Sequence, residues 1–257
     1  MIRLTFYLRR KAGSSRDEFQ AYWRNQHGPL VASVSSDLNI QRYVQVHTID
    51  DPANEAMNQA RGGEMEPIYD GVAELWWESE ATLAKAMESE KGATAGAALL
   101  EDERKFVDLP ESPLYLAYEY PQVNPCPENI FAHPKSSIVK IHFPLRHIAS
   151  MDEQEVRRYW LTNHGPIIRS HAPASGLLRY VQVHRANHPL DEALRSARGT
   201  QVDPYLGHAE VWVDQSRKGT REAAVANQAA VEDESKFIDF KRSCMWVGKE
   251  YSFVDRR

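Results

Sequence analysis

The chain has 257 residues, a net charge of −5 at neutral pH, and two cysteines, Cys126 and Cys244, without CxxC spacing. Scattered Lys and Arg on an acidic chain leave no footprint for nucleic acid or an anionic membrane surface, and the cysteines suggest neither a disulfide framework nor a thiolate zinc site. The N-terminal MIRLTFYLRRKAG lacks the apolar core of a signal peptide, and no run approaches the ~18 apolar residues of a membrane span, so a cytoplasmic protein is expected.

Taken in chain order, Ile2 to Leu8 alternates as a strand does, and its Ile2, Leu4 and Phe6 reappear as Val139, Ile141 and Phe143. A helix starts near Ser15, which with Glu18 has capping-box spacing; Asp152 and Glu155 repeat it. Phe19, Tyr22 and Trp23, matched by Val156, Tyr159 and Trp160, form an apolar stripe. Gly28-Pro29 and Gly165-Pro166 read as stops, which places His27 and His164 near helix C-termini. RYVQVH, from Arg42 to His47 and again from Arg179 to His184, is a second strand; the third starts at Ala73 and Ala209. Ala-rich stretches before Phe106 and Phe237 read as second helices, with the acidic runs at Glu101 and Glu232 on their solvated face. Each copy closes on Glu-Tyr, at Glu119-Tyr120 and Glu250-Tyr251.

His27 and His164 are 164 − 27 = 137 positions apart, and the same offset carries the first strand and RYVQVH before small deletions shorten it. The chain is therefore a tandem duplication. Between the copies, residues 121–134 hold repeated prolines that forbid a continuing helix or central strand, and read as a linker between domains 1–120 and 135–257. Each copy reads β-α-β-β-α-β, an α+β class. A four-stranded sheet with helices on one face needs cover on the other, which the second copy supplies as a built-in pseudo-dimer.

YWRNQHGPL and YWLTNHGPI, each followed by a Tyr-x-Gln-x-His strand, resemble the EthD family of the dimeric α/β-barrel superfamily. The resemblance covers both copies, nearly everything outside the linker. It implies two ferredoxin-like βαββαβ units packed as an intramolecular dimeric α/β barrel, a pocket in each unit between sheet and helices, and the signature histidines His27 and His164 lining it. Reaction type stays open, because relatives include dehydratase-like and cyclase-like enzymes, isomerases, decarboxylases, cofactor-free oxygenases, haem enzymes and proteins beside oxidative degradation pathways.

Alternation puts Tyr43, Gln45 and His47 on one sheet face, and Tyr180, Gln182 and His184 likewise. On the third strand it groups Val72, Glu74 and Trp76, and His208, Glu210 and Trp212. Convergence of these faces with the helix-end histidines would gather imidazole, phenol, amide and carboxylate in a cavity walled by tryptophan, a set suited to acid–base chemistry without a cofactor. The catalytic candidates are therefore His164, His184, Tyr180, His208, Glu210, His27, His47 and Tyr43. Candidates for substrate binding are Trp160, Trp212, Gln182, His142, Trp23, Trp76, Gln45 and Glu74. Plainer roles compete: the tryptophans as core, His27 and His164 as partners of the helix dipole, His47 and His184 as strand-end caps.

Where the first copy has Thr5 and Val72, the second has His142 and His208. The second cavity is expected to gather His142, His164, His184 and His208 near Glu210 and Tyr180, and so to carry the main chemistry. Such a cluster leaves a transition metal open, as the resemblance leaves haem, although its four histidines form no HxH or HxxxH pair among themselves, no metal ligand is assigned and no cofactor is expected. The leading expectation is a lyase- or isomerase-type enzyme acting by dehydration, decarboxylation, cyclisation or retro-aldol cleavage on a small aromatic or polyketide-like substrate. The alternatives are a non-catalytic binding or accessory protein of a degradation pathway, and an oxygenase with or without haem. No GxGxxG or P-loop run supports nicotinamide or ATP chemistry. Further homo-oligomerisation is optional once the halves pair internally.

Overall fold

In the first half, β1 (Ile2–Leu8) leads to α1 (Arg16–Tyr22), a π-helical turn (Trp23–His27), α2 (Gly28–Val34), β2 (Arg42–Thr48), α3 (Pro52–Gln59), β3 (Gly71–Trp77), α4 (Glu80–Glu88), α5 (Glu90–Phe106) and β4 (Leu114–Val123). The second half runs β5 (Ile138–Leu145), α6 (Glu153–Tyr159), a π turn (Trp160–His164), α7 (Gly165–Ser175), β6 (Leu177–Arg185), α8 (Leu190–Arg198), β7 (Gly207–Asp214), α9 (Arg221–Glu234) and β8 (Trp246–Asp255). This computed structural model describes residues 1–126 and 130–256; residues 127–129 of the expected linker, and Arg257, lie outside them. Both capping boxes form: Ser15 and Asp152 each accept from the backbone of the glutamate three residues on, which reaches back to the cap's N–H.

The eight strands close into one antiparallel barrel in the order β1-β3-β2-β8-β5-β7-β6-β4. Each half contributes a four-stranded run, and the runs are joined by β8 on β2 and β4 on β6. Strands such as β1 are buried along their whole length because helices cover one face and the barrel interior the other. Leu4, Phe6 and Leu8 belong to a helix–sheet core, Phe143 and Leu145 to its counterpart, and Tyr7, Val44, Val46, Val72 and Trp246 to a third core inside the barrel.

Two features differ from expectation. The Gly-Pro pairs do not stop the helix: the chain continues as α2 and α7, and His27 and His164 end the π turns within it. In each π turn the glycine N–H reaches five residues back, to the Trp23 or Trp160 carbonyl, and the widened ladder accommodates a proline that has no N–H to give. The dipole role for these histidines therefore falls. Nor does Pro121 end β4, which pairs Pro121 with Val181 and shifts register before Val123, at the kind of bulge where a strand tolerates proline.

Candidate active sites

Each π turn delivers its histidine to a cavity between helices and sheet, about 370 Å³ in the first half and about 500 Å³ in the second. Nδ1 of His27 lies 2.8 Å from Asp102 Oδ2, and Nδ1 of His164 lies 2.8 Å from Asp233 Oδ2. An ionised carboxylate only accepts, so Nδ1 carries the proton and Nε2 is the basic nitrogen. Among the described residues, that Nε2 has no hydrogen-bond partner in either copy.

The other oxygen of each carboxylate takes a phenol and a lysine. Tyr22 Oη donates to Asp102 Oδ1 at 2.8 Å and Tyr159 Oη to Asp233 Oδ1 at 2.7 Å, with Lys105 and Lys236 each 3.0 Å away. Burial alone would raise the pKa of Asp233, but donors from His164, Tyr159 and Lys236 outweigh it and hold the carboxyl far below its ordinary range. Asp102 is lowered likewise, against the same burial, by His27, Lys105 and Tyr22. These aspartates belong to the acidic runs read as solvated; Asp102, Glu103, Asp233 and Glu234 are all buried.

Of the sequence candidates, His27, Trp23 and Tyr43 line the first cavity, and His164, Trp160 and Tyr180 the second. Tyr180 Oη accepts from Trp160 Nε1 at 2.9 Å, and burial raises its pKa well above the phenol range, so its O–H stays intact as a donor. His47, Gln45, His184 and Gln182 share the helix-facing side but stand behind the tryptophans and line neither cavity. His47 stacks on Trp23 with centroids 4.6 Å apart, and His184 on Trp160 at 4.5 Å. Their Nε2 atoms meet Gln45 Oε1 at 2.8 Å and Gln182 Oε1 at 3.2 Å, and each amide grips the Trp23 or Trp160 carbonyl. The glutamine thus braces the π turn that aims the catalytic candidate. Burial, reinforced by Arg24 and by Arg157 respectively, pushes both imidazoles down to about 3. Gly71 makes room for this stack: a Cβ there would lie 2.4 Å from Trp23.

His142, His208, Glu74, Glu210, Trp76 and Trp212 are not in these cavities, and this corrects the expected four-histidine cluster. Register pairs Tyr43 with Leu75 and Gln45 with Ala73, so the intervening Val72, Glu74 and Trp76 share the barrel interior with Val44 and Val46; β6 and β7 repeat the pattern. Inside the barrel, Arg3 Nη2 lies 2.7 Å from Glu210 and 3.0 Å from Glu74, and Lys140 Nζ lies 2.6 Å from Glu74 and 3.2 Å from Glu210. Trp76 and Trp212 donate to Glu119 and Glu250. Burial opposes ionisation of Glu74 and repulsion from Glu210 adds to it, yet Lys140 and Arg3 bring it down to about 2. His208 links Tyr115 Oη, 2.9 Å away, to Glu210 at 3.0 Å. Donor atoms of His142, His208 and Glu210 lie within 4.8 Å of one another, as a metal would require. The Glu210 oxygen facing His208 already serves Arg3 and Lys140, however, two protein cations standing where the metal's charge would go. The set does not fit a resident metal.

Sequence reasoning missed two further pairs. Arg61 follows α3 and reaches Glu234 at 2.7 Å, while Arg198 ends α8 and forks onto Glu103 at 2.8 and 2.9 Å. Each arginine lines the cavity of the opposite half, so each site is roofed by the other copy. The signal was available, since Pro52 to Arg61 matches Pro189 to Arg198 at the same offset of 137, and the acidic runs recur in register.

The EthD domain model matches residues 11–110 and again 149–241. No curated protein matches the sequence. Among solved structures, an anthrone oxidase-like protein aligns with 100% of this chain and 94% of its own, at 10% identity and a TM-score of 0.56. An EthD-family protein from Bacillus halodurans C-125, 17% identical, aligns with 47% of this chain and 99% of its own, at a TM-score of 0.33. The first of these likenesses extends to the fold. Among the described residues, no helix is long and apolar enough to cross a membrane.

Proposed function

Because this chain belongs to the EthD family and carries the family's domain twice, we propose that it is a proton-transfer enzyme of the lyase or isomerase type, in which each His–Asp pair acts on a flat, largely apolar molecule. The carrying observation is the 2.8 Å bond from His164 Nδ1 to Asp233, repeated at His27 and Asp102, with Nε2 left for a ligand. The aspartate fixes tautomer and ring orientation and stabilises the imidazolium formed when Nε2 takes a proton. Bound beside Tyr180 in a cavity walled by Trp160, Phe143 and Ile141, an aromatic ketone or phenol would lose an acidic proton to His164. Negative charge then grows on its oxygen, where the Tyr180 O–H can donate. The two ferredoxin-like units, in this reading, supply a rigid sheet for each base, and the protein works in the cytoplasm. No step of the reading passes through a metal or haem.

Proton removal precedes elimination, decarboxylative rearrangement and cyclisation alike, and a carbanion so formed can also react with dioxygen, so the shared step is what should be measured. Anthrone in D2O is a suitable probe, since its ketone acidifies a ring C–H. Under nitrogen, the protein should speed deuterium incorporation at that carbon, and the His27→Ala/His164→Ala double variant should not. Dioxygen uptake in air would turn the reading toward the oxygenase; binding without any exchange would turn it toward the non-catalytic carrier.

A further inference from the structure

The two cavities can be compared position by position. The offset between copies is 137 as far as the second strand, 212 − 76 = 136 at the third and 232 − 101 = 131 at the second helix. Five residues are thus missing from the second copy between its third strand and second helix, and the structure shows what they built. In the first half β3 leads into α4, whose Leu83 and Met87 line the cavity. In the second, β7 ends at Asp214 and α9 begins at Arg221, with no helix between.

Side chains follow the same trend. Trp77 and Leu99 of the first cavity correspond to Val213 and Ala230 of the second, which accounts for the growth from about 370 to about 500 Å³. At the end freed by the missing α4, polarity also changes. Leu38 and Gly96 correspond to Ser175 and Asn227, and Val34 to His171, and all three replacements line the second cavity. Ser175 Oγ donates to the His171 and Ala172 carbonyls and keeps its lone pairs. Among the described residues, neither the His171 ring nor the Asn227 amide has a hydrogen-bond partner. His171 is half-buried and Asn227 exposed, which puts this polar group at the cavity mouth.

We infer that the second cavity is built for an elongated aromatic molecule bearing an oxygen at each end, the near one at His164 and the far one at His171, Ser175 and Asn227, whereas the first encloses a shorter molecule with its oxygen at His27 and an apolar far end. The inference rests on the reading that each cavity binds its substrate beside its histidine. The length follows from the helix: His164 and His171 are seven residues apart, two turns on one face, or about 10 Å at 1.5 Å per residue. Three linearly fused rings with an oxygen at each end match that span.

Binding decides it on the whole chain, with 2,6-dihydroxyanthraquinone and 2-hydroxyanthraquinone as probes and calorimetry as the readout. The dihydroxy probe should fill one site per chain and bind about tenfold more tightly than the monohydroxy probe, the worth of one or two hydrogen bonds. His171→Ala/Asn227→Ala, at an exposed mouth where folding is not at stake, should erase that preference; Val213→Trp/Ala230→Leu, which rebuilds the first cavity in the second, should abolish the site. Equal affinity for both probes, a preference that survives the mouth variant, or two equivalent sites per chain would overturn the inference. If this preference holds while deuterium exchange fails, the proton-transfer reading falls and the assignment of ligand shape stands.

Discussion

In the first cavity Trp77, Leu99 and α4 crowd the space that His27 faces, while in the second Val213 and Ala230 leave it open and no α4 exists. Behind these walls the machinery is the same: π turn, His–Asp bond of 2.8 Å, tyrosine and lysine on the aspartate, stacked imidazole bracing the tryptophan. The base is maintained twice while its surroundings diverge. On the proposed reading, one proton-transfer step shared by two differently shaped ligands would leave such a pattern. The expectation of a richer second cavity rested on His142 and His208, which lie inside the barrel instead; the polar residues that distinguish the second cavity from the first are His171, Ser175 and Asn227.

The sharpest test separates the two bases. On a substrate of the second site, His164→Ala should lower turnover by about 10²–10⁴-fold, and Asp233→Asn, which alters the tautomer but not the size, by a comparable factor. His27→Ala should leave that substrate nearly untouched, and equal losses from His27→Ala and His164→Ala would erase the asymmetry. The barrel interior should answer for both halves at once. Lys140→Met leaves Glu74 with one cation fewer in a fully buried site and should cost about 3–5 kcal/mol in denaturant unfolding, with a single transition for the whole chain. Trp23→Ala and Trp160→Ala should each cost about 3–5 kcal/mol, and a large difference between them would show that the two floors are not equivalent.

The smallest effect concerns pH. His47 and His184 titrate near 3 when folded and near 6.5 when unfolded, so the fold holds them neutral. A depressed folded value means that their stabilising contribution is complete above about pH 6.5 and is lost as pH falls toward 3, by up to about 1.4 kcal/mol per unit for each. His47→Gln and His184→Gln should each flatten the slope of unfolding free energy between pH 6.5 and 5 by one proton. A slope left unchanged would mean that the imidazole is already protonated in the fold.

Much of this architecture was legible because duplication doubles every signal. RYVQVH twice, two capping boxes and two YWxxxHGP runs define strands, helix starts and the signature histidine, and faces along the second strand follow from alternation. The third strand shows where such reasoning stops. Its two faces are both buried, so Glu74 and Trp76 alternate with apolar neighbours whichever way they point, and only pairing with β2 decides that they look into the barrel. Similarly, EDE at the end of an Ala-rich helix resembles a solvated face until the helix is seen to turn Asp102 toward His27. The π turn was hidden in Gly-Pro, which elsewhere ends helices and here sits where an N–H is dispensable.

The joining of the barrel has a consequence for how the chain can be cut. β4 of the first half hydrogen-bonds to β6 of the second, β8 of the second to β2 of the first, and the roofs of α3 and α8 are exchanged as well. A break in the chain between Val123 and Ile138 would therefore sever one covalent bond and none of these attachments. Two fragments expressed apart should reassemble into one barrel, and a protease acting there should leave a nicked molecule that migrates as two bands when denatured and as one particle when folded.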